Sequence, residues 1–127
     1  MKKKWMAVVL AGVMFIVSGM AVSAESLTRS IGGMSFTAYS SVYKTGADAG
    51  TVSDKSQLSM SVSATYGYVN TTTYVSAKSS NSANGNAAAV VSFSAPGGCQ
   101  SVGINASHSA TTQKESWSGS TSATYPN

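Results

Sequence analysis

From Met34 onward the chain alternates. Leu58, Met60, Val62, Ala64, Tyr66 and Tyr68 are apolar or aromatic, and Ser59, Ser61, Ser63, Thr65 and Gly67 stand between them. Side chains of a strand alternate between its two faces, so this stretch predicts a strand with one apolar and one hydroxylated face. A helix would scatter the same apolar residues around its axis. The pattern recurs at Met34–Tyr43, where Met34, Phe36, Ala38 and Val42 share one parity, interrupted by Ser40, and Tyr39 and Tyr43 fall on the other. It recurs at 87–95, with Ala87, Ala89, Val91 and Phe93 against Ala88, Val90, Ser92 and Ser94. Val90 on the second face makes this the strand expected to be covered on both sides. At 100–110, Val102, Ile104, Ala106, His108 and Ala110 oppose Ser101, Gly103, Asn105, Ser107 and Ser109. A last strand is predicted over 115–125 around Trp117, and another over 72–78.

Between these runs lie turn signals. Residues 25–33 read as a lead-in ending at Gly32-Gly33, and Lys44–Gly50 as a turn carrying Gly46 and Asp48. Residues 51–57 read as loop or a short edge. Residues 79–86 read as a polar loop with a hairpin dipeptide at Asn84-Gly85, and Pro96-Gly97-Gly98 as a turn. About six to seven short strands with brief connections predict an all-β, antiparallel β-sandwich, with a small β-barrel as the alternative. Ser-Ala-Thr-Tyr at 63–66 and again at 122–125 is chance recurrence in a chain rich in these residues.

The first 24 residues do not fit this pattern. Lys2, Lys3 and Lys4 precede an apolar run over 5–17, and Val22-Ser23-Ala24 offers small residues. Basic start, apolar run and small-residue site predict a secretory signal peptide cleaved after Ala24; a retained membrane anchor is the other reading. The expected organisation is therefore residues 1–24 as signal peptide and 25–127 as one β domain, secreted to the extracellular side of what the lysine-rich leader marks as a bacterial cell.

Removing the leader changes the charge picture. Arg29, Lys44, Lys55, Lys78 and Lys114 then nearly balance Glu25, Asp48, Asp54 and Glu115. The cations are dispersed, so nucleic acid is not an expected partner. Only 9% of residues are charged, against about 25% in an average soluble domain. Ser and Thr, roughly a third of residues 25–127, occupy the positions where Lys and Glu normally stand.

The inventory for catalysis is thin. His108 is the one histidine and sits on an apolar parity, which favours a buried, hydrogen-bonded ring over a general base. A serine triad would need that ring and a carboxylate to orient it, and no G-x-S-x-G elbow exists. Asp48 and Asp54 are too few for a calcium loop, and Cys99 with His108 too few for zinc. The expectation is no enzyme, no cofactor and no metal. Asn70-Thr71-Thr72 and Asn105-Ala106-Ser107 match the glycosylation sequon, with little weight in a bacterial chain.

Binding chemistry has better candidates. Tyr39 and Tyr43 share a strand face and bring large apolar rings with polar tips, fit for a sugar or a protein surface. Trp117 reads as packing. Cys99 has no partner within the chain; the expectation is a buried or half-buried thiol, with a reactive free thiol or an intermolecular bridge as the functional readings. The expected function is a secreted, non-enzymatic β-sandwich binding a surface, glycan or protein partner outside the cell. The alternative is an exported antimicrobial, bacteriocin-like or membrane-active protein that oligomerises through its Ser/Thr-faced strands. Membrane contact belongs to that alternative, and a homo-oligomer is compatible with either.

Overall fold

Eight strands form two four-stranded antiparallel sheets packed face to face, in a computed structural model that describes residues 23–126. They are β1 (Ser23–Ile31), β2 (Met34–Tyr43), β3 (Gly46–Val52), β4 (Ser59–Asn70), β5 (Ser76–Asn86), β6 (Ala88–Ser94), β7 (Cys99–Thr111) and β8 (Ser116–Thr124). One sheet has the order β1-β2-β3-β6 and the other β5-β4-β7-β8. The architecture is the expected sandwich and not a closed barrel. The basic and apolar segment over 1–22 lies outside the described residues. The expected cleavage point does not: Ser23 and Ala24 are the first two residues of β1, paired with Val42 and Ser41.

The apolar parity of each strand meets in the middle. Phe36 and Val42 of β2, Met60, Val62 and Tyr66 of β4, Val91 and Phe93 of β6 and Ile104 of β7 are buried together, with Leu58 just ahead of β4. Tyr66 stacks on Phe93 at 5.4 Å, and Trp117 meets Phe36 edge-on at 5.0 Å, closing one end of the core. Trp117 is packing, as its parity implied.

Several local expectations fail, each for a physical reason. The lead-in is a strand: Gly32 and Gly33, at φ 56° and 76°, form a two-residue hairpin turn that folds β1 back along β2. Lys44–Gly50 is not a turn. Only Lys44-Thr45 turns, and Gly46–Val52 is an interior strand between β2 and β6. Its small residues resemble loop composition, but Ala47 and Ala49 are fully buried because the sheets lie close above them. The segment 79–86 is likewise strand, with Asn84-Gly85 paired to Ser61 and Met60. The reversal falls at Ala87, at φ 70°, held by its N–H to Leu58 O and its carbonyl from Ser53 N. The stretch predicted as strand at 72–78 is turn and coil up to Val75. β6 is an edge strand with Val90 exposed, not a strand covered on both faces.

One register shift matters. Gly67 pairs with Gly103 but Tyr68 pairs with Ser101, so Val102 is the extra residue of a β-bulge. The bulge inverts the parity of the residues before it. Val102 turns out to solvent, and Ser101 is buried where it accepts the Tyr66 hydroxyl at 2.6 Å and donates to Gly46 O at 3.3 Å.

Candidate functional site

The outward face of the β1-β2-β3-β6 sheet carries the aromatic residues singled out from the sequence. Tyr39 lies in a cross-strand row Ser26–Tyr39–Gly50–Val90, and Tyr43 in a row with Gly46 and Ser94. The glycines are what let the rings lie down. A Cβ on Gly50 would stand 2.9 Å from Tyr39 Cε1 and 3.0 Å from Val90 Cγ2, and one on Gly46 would stand 2.8 Å from Tyr43 Cε2. Each ring therefore lies across the backbone of β3 and fills the place of a missing side chain. Same-face positions four residues apart set the two rings on the order of 13 Å apart along β2.

Asp48 joins them from the row between, opposite Ser41 and Ser92. The Tyr43 hydroxyl donates to Asp48 Oδ2 at 2.6 Å. Burial against the sheet, aided by the Asp48 charge, pushes the Tyr39 hydroxyl up to about 12. Burial and the bond to Asp48 raise Tyr43 further still. Both rings stay neutral donors across the physiological range. The face thus presents two half-buried rings, one carboxylate and a field of Ser, Gly and Val, with no cation among the described residues. Asp48 escapes the sequence reading as a member of this group because Lys44–Gly50 has the composition of a turn. The weak alternation Ala47, Ala49, Thr51 against Gly46, Asp48, Gly50 is the available signal.

The opposite outward face, on β5-β4-β7-β8, is made of small polar residues. Its rows read Asn84–Ser61–Ser109–Ser118, Ser82–Ser63–Ser107–Ser120 and Ser80–Thr65–Asn105–Ser122. Hydroxyls here bond to one another across strands, Ser61 to Ser109 and Thr65 to Ser80. A shallow trough of about 550 Å³ runs over Ser63, Thr65, Asn105, Ser107, Ser120 and Ser122.

His108 is not on either face. It is buried at the interface of the sheets, 2% exposed. Thr51 donates its hydroxyl proton to Ser61 O at 3.0 Å, so its oxygen accepts from His108 Nδ1 at 2.9 Å. That fixes the proton on Nδ1. Nε2 then accepts from Thr121 Oγ1 at 2.7 Å, and Thr121 accepts from Ser40 Oγ. The relay joins five strands and uses every donor once. Burial drives the ring down to about 4, with the Glu25 charge pulling the other way. This arrangement holds a neutral ring between two hydroxyls.

Cys99 opens β7 opposite Asn70. It is half-buried and free, and its N–H bonds to Pro96 O. No three His, Cys, Asp or Glu side chains come together as a metal site among the described residues. No protein-family model matches the chain, and no curated protein is significantly similar to it.

Proposed function

We propose that the protein is a non-enzymatic binding module that works outside the cell and takes a glycan on the outward face of β1-β2-β3-β6. The observation that carries this reading is the seating of Tyr39 and Tyr43 on Gly50 and Gly46. A ring laid along a sheet has one face against the backbone and the other available for the C–H face of a pyranose. Asp48 supplies a carboxylate acceptor for sugar hydroxyls beside the rings. A face that offers a carboxylate and hydroxyls favours a neutral sugar over an anionic one. The basic and apolar leader supports export.

The test is co-sedimentation with insoluble cell-wall polysaccharides, followed by calorimetry with the oligosaccharides derived from whichever binds. Tyr39→Ala/Tyr43→Ala, checked for an unchanged circular dichroism spectrum, is expected to lose at least about tenfold in affinity, as paired aromatic anchors do. If the native protein binds none of these polymers, or the double variant binds as well as the parent, the reading is wrong.

A further inference from the structure

We infer that β5 is a docking edge for a second copy of this chain, paired antiparallel about a two-fold axis through Asn81. The four sheet edges are unequal. On one side of the sandwich β1 and β8 close on each other: Glu25 Oε1 accepts from Ser122 N at 2.7 Å and Glu115 Oε1 accepts from Gly32 N at 2.9 Å. The Glu25 carboxylate there occupies a backbone donor of β8 that another strand would need, and Glu115 ties the start of β8 to the β1–β2 turn. On the other side, β5 carries no carboxylate guard, and the one outward donor a side chain occupies, Ser82 N–H, is held only by the neighbouring Asn81. It is the outermost strand of its sheet, and every residue from Ser76 to Ser82 is exposed, inward-parity Ala77, Ser79 and Asn81 included. It contains no proline or bulge, and has one charge, Lys78.

The direction of its free backbone groups can be read from one bond. Ser82 N–H is taken by Asn81 Oδ1 of its own strand, at 2.9 Å. A donor satisfied in this way points away from β4, and strand geometry then turns Ser76, Lys78, Ser80, Ser82, Asn84 and Asn86 to the same free side. Asn81 is the middle residue of β5. A two-fold axis there gives full overlap, and it sets Ser80 against Ser82 and Lys78 against Asn84 of the second copy. These residues can exchange both N–H···O bonds, with the Asn81 side chain displaced by the partner strand. The axis also keeps the only charge on the strand away from its own copy, whereas parallel in-register pairing would stack Lys78 on Lys78. Exposed Tyr74 and Val75, at 80% and 67%, precede β5. In this register they fall beside the β5–β6 corner of the second copy, at Ala87 and Ala88. The two hydroxylated faces would join into one eight-stranded surface.

Sedimentation equilibrium in reductant, on protein expressed with its own leader and purified from the compartment it reaches, tests this. Reductant removes any bridge through Cys99. The expected result is a reversible dimer. Asn84→Lys, which sets two lysines side by side at each end, should weaken it about tenfold, and Asn84→Glu, which faces Lys78, should tighten it by a similar factor. Ser80→Pro, which removes an outward N–H without touching the β4 ladder, should leave a folded monomer. A monomer at all soluble concentrations overturns the inference. So does a dimer indifferent to both Asn84 variants, or open-ended polymers, which would mean that β5 meets a different edge.

Discussion

His108 shows how one buried residue couples the two sheets to pH. Its ring titrates near 4 in the fold and 6.5 when unperturbed. Between those values the unfolded chain binds the proton more tightly, so stability is complete above about pH 6.5 and falls as pH drops toward 4. The loss over that window is on the order of 3 kcal/mol. Urea denaturation at pH 7 and pH 4.5 should show it, and His108→Leu should flatten the difference. Thr121→Val strands both Ser40 and His108 Nε2, and should cost about 1–3 kcal/mol at pH 7 by the same measurement. On the outer face, Gly50→Ala pushes a methyl against the Tyr39 ring. It should lower affinity for the bound polysaccharide more than it lowers the melting temperature, because the ring is at the surface and can lift. An unchanged affinity would mean that the seat of Tyr39 does not matter for recognition.

At the scale of elements, the chain uses glycine and a bulge to build strands where composition suggests loops. Gly33 stands at φ 76°, and a methyl group added there would meet nothing within 4 Å. Gly33→Ala therefore tests backbone conformation alone, and should cost about 1–2 kcal/mol in thermal unfolding. The bulge at Val102 explains how a serine enters the core. Ser101→Ala leaves the Tyr66 hydroxyl buried with its acceptor gone, and should cost about 1–3 kcal/mol; a neutral result would mean that the Tyr66 hydroxyl finds another acceptor. Both devices escape a periodicity argument. A period of two carries no mark of the residue at which the parity slips, and Gly-Ala-Asp-Ala-Gly reads as a turn until a tyrosine is seen lying on it.

For the whole molecule, the apolar parity of β2, β4, β6 and β7 is buried at the interface between sheets. Contact with lipid through those residues would require the sandwich to open. Among the described residues, the large apolar side chains left outside, Tyr74, Val75, Val90 and Val102, are dispersed over three segments. Dye-filled liposomes should accordingly stay intact with the folded protein, and leakage at neutral pH would favour the membrane-active reading over the glycan-binding one. Alternation by itself determined that this chain is all-β, that Phe36, Met60, Val62 and Ile104 face inward and that Tyr39 and Tyr43 face outward, because the strand period is local and each residue reports its own face; that the strands close as a sandwich and not a barrel came from the tertiary structure. The tertiary structure decided the rest. Asp48 stands between the tyrosines, His108 is wired to Thr51 and Thr121, and β5 is left without a carboxylate guard while Glu25 and Glu115 tie the opposite edges together. These are matters of which strand lies beside or above which, and such neighbours are set by packing between residues far apart in the chain.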